Sequence, residues 1–263
     1  MDHPTSLEIA RPESPPPGSE TALGILHRTG DDESRTDLMQ RVEVKFVAPH
    51  ADLDALRHVL AANGRRLIYN EQVSTVRSVY FDDVRLSSCH ENFGGVGQRR
   101  KVRLRWYDSL EPPETVFLEV KWRNNRITGK HRHQLACDAP LANRPLGFWH
   151  ADLLHAAPSE LIPDLLTASE PVVMVEYKRE HFADPHSSLR VTLDYDLAFY
   201  DQTGRSRLST SFPIRMDGAV LIESKTRPGA SREARDFLHP LAPRISAFSK
   251  YVHACQHLGL VTD

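Results

Sequence analysis

Between Gln40 and Lys225 the chain is dominated by short stretches in which apolar and polar residues alternate, and the polar member is often charged. Successive residues of a strand point to opposite faces, so a period of two builds one apolar and one polar surface. Stretches with that period predict strands at Gln40–Val47, Arg66–Ile68, Val73–Phe81, Arg100–Tyr107, Thr115–Arg123, Arg132–Cys137, Val172–Glu180, Ser188–Tyr195 with a continuation over Leu197–Tyr200, Pro213–Met216 and Ala219–Lys225. Gly-, Pro- and Asn-rich turns separate them. Helical spacing predicts a helix over Ala51–Asn63, with the stripe Leu53, Leu56, Val59 and Leu60 and with Gly64 as stop. It also predicts a helical region over Pro145–Thr167, broken at Pro158 or Pro163, and C-terminal helices over Arg232–Leu238 and Ile245–Leu258, split by Pro240 and Pro243. Residues 1–38, rich in proline and poor in periodic apolar content, are predicted to be a disordered tail ahead of a single domain over 39–260.

The polar faces carry a recurring arrangement. Glu43 and Lys45, Glu119 and Lys121, Glu176 and Lys178, and Glu223 and Lys225 each place a carboxylate two residues before a cation, hence on one face of a strand. In Lys101-Val102-Arg103-Leu104-Arg105-Trp106-Tyr107 three cations share a face opposite Val102, Leu104 and Trp106, and Arg190, Thr192 and Asp194 oppose Leu189, Val191 and Leu193. One such strand is ordinarily a solvated edge. Several strands of the same design could form an open sheet, but closing that sheet would gather the charges around a tunnel. Two like charges 4 Å apart repel by about 4 kcal/mol at an effective dielectric near 20, so a surplus of inward cations calls for an anionic ligand. Guanidinium forks and ammonium groups suit a chain of phosphates, and phosphoryl transfer would call for a divalent metal held by oxygens such as those of Glu223.

Composition narrows this further. The net charge is -2 (33 Lys and Arg against 35 Asp and Glu), which excludes nucleic-acid binding through bulk positive charge and makes any polyanion site local. Cys89, Cys137 and Cys255 have neither the number nor the spacing of a disulfide framework or a zinc site, which suits a reducing, cytoplasmic setting. No apolar run is long enough to cross a bilayer, and the N-terminus does not read as a signal peptide. His131 and His133, among fourteen histidines, are expected at the surface. Gly94-Gly95-Val96-Gly97 lacks the Gly-Lys-Ser/Thr ending of a phosphate loop and is expected to turn the chain into the basic strand.

The ordered series R-x-E-x-K-F, S-x-Y-F-D, R-K-x-R-x-R-W-Y, E-V-K, E-Y-x-R, L-R-V-T-L-D, E-S-K and S-K-Y, spread over residues 39–258, resembles the VTC domain. This is the polyphosphate polymerase domain of the vacuolar transporter chaperone family, within the triphosphate tunnel metalloenzymes. The resemblance implies an α+β fold: a closed antiparallel eight-stranded β-barrel tunnel with flanking helices. It implies transfer of the γ-phosphate of ATP to a growing inorganic polyphosphate chain with Mn2+ or Mg2+. Carried over onto matching positions, it makes Lys45, Arg103, Arg105, Lys121 and Glu223 catalytic, with Glu223 also the metal ligand, and makes Lys101, Arg179, Arg190, Lys225 and Lys250 substrate-binding. In this register Tyr177 and Arg179 face the tunnel, which turns Glu176 and Lys178 outward. Arg41 stands where the hydrolase and cyclase branch of these tunnel proteins has the first glutamate of E-x-E-x-K, which favours the polymerase branch. A triphosphate or polyphosphate hydrolase and a non-catalytic polyphosphate sensor are the alternatives. The expected partners are ATP and polyphosphate, with no nucleic acid and no membrane segment in the chain; any membrane partner would be separately encoded.

Overall fold

The period-two stretches become one antiparallel sheet that curls around its charged face, in a computed structural model describing residues 25–28, 42–69, 71–125, 127–227, 229, 231–239 and 245–262. In chain order the elements are β1 (Leu26–Arg28), β2 (Val42–Pro49), α1 (Leu53–Asn63), β3 (Arg65–Leu67), β4 (Ser74–Asp82), α2 (Ser87–Phe93), β5 (Gln98–Tyr107), β6 (Thr115–Asn124), β7 (Ile127–Cys137), α3 (Trp149–Ala156), α4 (Ile162–Thr167), β8 (Glu170–Ala183), β9 (Arg190–Asp201), β10 (Ile214–Met216), β11 (Ala219–Thr226), α5 (Ser231–Leu238) and α6 (Lys250–His257). The hydrogen-bonded path runs β1-β7-β6-β5-β4-β8-β9-β11-β2, with β3 added to β8 and β10 to β9.

The expected closed eight-stranded barrel is therefore corrected to an α+β half-barrel of eleven strands among the described residues. No described ladder joins β2 to the β7 side of the path. The free edge of β2 is covered instead by the segment before α6: Ile245 bridges Phe46, and the Ser246 amide donates to the Lys45 carbonyl at 2.7 Å. That use of an extended segment delays the last helix from the expected Ile245 to Lys250. The curl still brings the two sides close, because Lys121 on β6 reaches both carboxylate oxygens of Glu43 on β2, at 3.0 and 3.1 Å.

Three apolar clusters hold the curl. The outward residues Val102, Leu104 and Trp106 of β5, with Val116, Leu118 and Val120 of β6, pack under Trp149 and Leu153 of α3 and Leu165 of α4. Leu56 and Leu60 of α1 and Phe237 of α5 cover Val191, Leu193, Val220 and Ile222 on the opposite wall. The third cluster joins Val76, Tyr80, Tyr177 and Phe199 to Phe248, Tyr251, Val252 and Cys255, so α6 packs against the inward side of the curl.

Three differences from the sequence reading have local causes. Within the expected tail, Leu26–Arg28 pairs with Leu135–Cys137, and Leu26 is fully buried; apart from Ile25, the rest of 1–38, like Arg41, lies outside the described residues. The two stretches around Tyr195 and Leu197 form one strand, β9, interrupted by a bulge at Asp196 (φ 53°) that opposes an extra residue to β8. The bulge shifts the alternation by one, so Arg190, Thr192 and Asp194 face the same way as the apolar Leu197 and Phe199. Helix α2 is too short to show helical periodicity and starts after Leu86 in the left-handed region.

Candidate functional site

The inward face of the curl encloses a cavity of about 240 Å³. All ten residues predicted from the sequence line it: Lys45 from β2, Lys101, Arg103 and Arg105 from β5, Lys121 from β6, Arg179 from β8, Arg190 from β9, Glu223 and Lys225 from β11, and Lys250 at the start of α6. The pairing explains the convergence. Lys101 lies opposite Lys121, Arg103 opposite Glu119, Glu223 opposite Lys45, and Lys225 opposite both Glu43 and Arg190, so each inward residue meets another inward residue across the ladder. Of the four acid-x-base pairs, three face the cavity or its wall. Glu176 and Lys178 point away, Glu176 to Arg77 at 2.6 Å and Lys178 to Asp196 at 3.4 Å.

The carboxylates are buried joints between cations. Glu119 is 1% exposed and meets Arg103 at 2.6 Å, Lys130 at 3.0 Å, Arg132 at 3.3 Å and Arg105 at 3.6 Å. Asp194 accepts two bonds of 2.6 Å from Arg179 and one of 2.5 Å from Lys250. Glu223 lies within 3.1 Å of Lys250, 3.3 Å of Arg179, 3.4 Å of Lys225 and 3.6 Å of Lys45. Burial alone would raise the Glu223 carboxyl, but Lys250, Lys45, Lys225 and Arg179 outweigh it and hold the group well below the usual carboxylate range. Glu119 behaves alike: burial opposes ionisation, and Arg103, Arg105, Lys130 and Arg132 reverse the balance.

The cations still outnumber the acids. Among the described residues, ten Lys and Arg side chains line the cavity against two carboxylates, Glu43 and Glu223. No ion pair to a described carboxylate reaches Lys101 or Arg190. The Lys101 ammonium donates to Asn92 Oδ1 at 2.7 Å and to Ser249 Oγ at 3.3 Å, both uncharged. Burial, then the like charges of Lys45, Lys121, Arg99 and Arg103, push its pKa well below that of an ordinary lysine. Lys130 is lowered to about 8, first by burial and against the attraction of Glu119.

Several residues of this constellation escape sequence reasoning. Lys130 belongs to the part of β7 before the expected strand, where Gly129, opposite Trp122, obscures the pattern, and Arg132 is the first residue of that expected strand, with no partner legible for it. The alternation puts Asp194 on the polar face with Arg190 and Thr192, but its partners Arg179 and Lys250 are brought to it only by tertiary folding. Asn92 sits on the unpredicted α2. Tyr69 and His181 line the cavity without belonging to any motif noted in the sequence. His133 is buried rather than at the surface, and Gly94 and Gly95 do form the turn between α2 and β5, Gly95 at φ 69°.

No group of three or more His, Cys, Asp or Glu side chains among the described residues has the arrangement of a metal site. Both oxygens of Glu223 already have cationic neighbours. The described donors thus do not by themselves make a resident divalent site, and a cation at Glu223 would need further oxygens from the ligand it accompanies.

A curled antiparallel sheet with a cation-rich interior defines the class of fold. The VTC domain description matches residues 40–259, and the chain belongs to the VTC domain family, an enzyme-type family associated with polyphosphate polymerases. Among solved structures, the PH1819 protein from Pyrococcus horikoshii OT3 is similar at 11% identity with a TM-score of 0.44, over 83% of this chain and 98% of that one. No curated protein matches. No helix among the described residues is long and apolar enough to cross a membrane.

Proposed function

We propose that the cavity binds a metal triphosphate and a phosphate chain end to end, and that the protein is a polyphosphate polymerase moving the γ-phosphate of ATP onto that chain. The observation that carries the reading is the excess of ten lining cations over two lining carboxylates. Glu119 and Asp194, just behind the lining, raise the acids to four against the ten cations, so internal pairing compensates only part of the excess, and a linear polyanion compensates the rest along its length. Lys101, buried and without a described carboxylate partner, is the cation most in need of an anion.

In the proposed reaction an anionic oxygen of the chain's terminal phosphate attacks the γ-phosphorus. The new P–O bond forms as the bond to the β,γ-bridging oxygen breaks, and ADP leaves with that electron pair. No side chain has to act as nucleophile or remove a proton. Arg103, Arg105, Lys121 and Lys45 are assigned to holding the reacting phosphates in line, and Lys101, Arg179, Arg190, Lys225 and Lys250 to binding the chain and the triphosphate. The guanidiniums of Arg103, Arg105 and Arg179 are already oriented by Glu119 and Asp194, so little ordering of them remains when ligand arrives. Mn2+ or Mg2+ arriving on the triphosphate would have Glu223 as its protein carboxylate and would spread the charge of the transferring phosphoryl group.

The test is to incubate the protein with ATP and Mn2+ and separate the products. Long anionic polymer formed together with ADP supports the polymerase. Free phosphate without polymer assigns hydrolysis, and tight triphosphate binding without turnover assigns a sensor.

A further inference from the structure

A base-recognition corner can be separated from the phosphate-binding wall, on the reading that the cavity takes a triphosphate. Three tyrosines line the cavity. Tyr80 is stacked against Tyr251 at 5.1 Å, and its hydroxyl accepts from Arg103 at 2.8 Å. Tyr177 already carries the Lys250 ammonium 4.5 Å and the Arg179 guanidinium 5.1 Å from its ring centre. Both rings are buried and engaged. Tyr69 differs: it is 55% exposed and meets the His181 ring edge-on at 4.8 Å.

The corner lies at one mouth. Tyr69 follows β3, whose Leu67 is opposite His181, and His181 is one inward position beyond Arg179 on β8. Arg190, exposed at the start of β9, is opposite Lys225. From Arg190 to Asp194 the inward side of β9 descends about 13 Å, at roughly 3.3 Å per residue. Moving inward from the mouth, the exposed Tyr69 ring gives way to Arg179, held by Asp194, and to Lys250. Burial, with Arg179 and Lys225, lowers His181 to about 4, so its ring is neutral at pH 7 and adds no charge to the corner.

We propose that Tyr69, set against His181, is a stacking platform for a nucleobase, which makes the donor a nucleoside triphosphate entering base-last, with its phosphates directed past Arg190 and Lys225 toward Arg179. Any base has a π-face, so the platform favours nucleotides over inorganic chains without selecting a particular base.

The experiment is calorimetric titration of wild type, Tyr69→Ala and Tyr69→Trp with ATP and with tripolyphosphate. The ratio of ATP to tripolyphosphate affinity is expected to fall about tenfold in Tyr69→Ala, the loss of one base–aromatic stack, and to be retained in Tyr69→Trp. An unchanged ratio in Tyr69→Ala overturns the platform and leaves the phosphate cavity standing. Wild type that binds neither ligand overturns both.

Discussion

The Tyr251 hydroxyl donates to Asp82 Oδ2 at 2.6 Å, tying the first turn of α6 to the end of β4. Asp82 also accepts from the Ser88 and Cys89 amides at 2.9 and 3.0 Å, so one buried carboxylate fixes α6 and the start of α2. Both helices bear on the cavity: Lys250 and its preceding Ser249 line it, and Asn92 of α2 accepts from the ammonium of the lining Lys101. Tyr251→Phe keeps the stack on Tyr80 and removes the bond to a buried acceptor. Denaturant unfolding is expected to show a loss of about 1–3 kcal/mol. An unaltered midpoint would mean that the contact does not hold α6.

Glu119 is the joint of the β5–β6–β7 wall. Glu119→Gln leaves Arg103, Arg105, Lys130 and Arg132 around a neutral amide, and the variant is expected to lose about 3–5 kcal/mol, as when one member of a buried ion pair is removed. Because those cations then lack a counter-charge, tripolyphosphate should raise the melting temperature of the variant more than that of wild type. Thermal scans with and without ligand check both effects; an equal rise in the two proteins would contradict the second.

His181 supplies a pH-dependent term. Its folded pKa of about 4 lies below the unfolded value near 6.5, so the unfolded chain binds the proton first. Stability therefore falls as pH drops from about 6.5 toward 4, and this term is flat above that window. Between pH 6.5 and 5, above the range where carboxylates such as Glu223 take up protons in the unfolded chain, the melting temperature of wild type should fall faster than that of His181→Gln. Parallel slopes would remove His181 as the source.

Much of the wall was legible because strand periodicity is a local property: Arg103 and Arg105 had to share a face whatever the fold. Register across the sheet was not local. The meeting of Glu119 with Lys130 and Arg132 depends on β6–β7 pairing, and that of Asp194 with Arg179 and Lys250 depends on the Asp196 bulge and the docking of α6. Inward charge does indicate curling, but closure depends on what covers a strand edge, and at β2 that edge is taken by Ile245 and Ser246, residues whose helical spacing pointed elsewhere. Strand β1 is three residues long, too short for its alternation to stand out.

Lys101→Ala, examined by thermal unfolding and by titration with tripolyphosphate, tests most directly whether the inward charge serves a ligand or the scaffold. Lys101 is desolvated, crowded by like charges and without a described carboxylate partner, so its removal should leave the melting temperature equal or higher. The same change should weaken tripolyphosphate binding about tenfold or more, the equivalent of a lost charge-assisted hydrogen bond. A lowered melting temperature with undiminished affinity would contradict the phosphate-binding reading of the cavity.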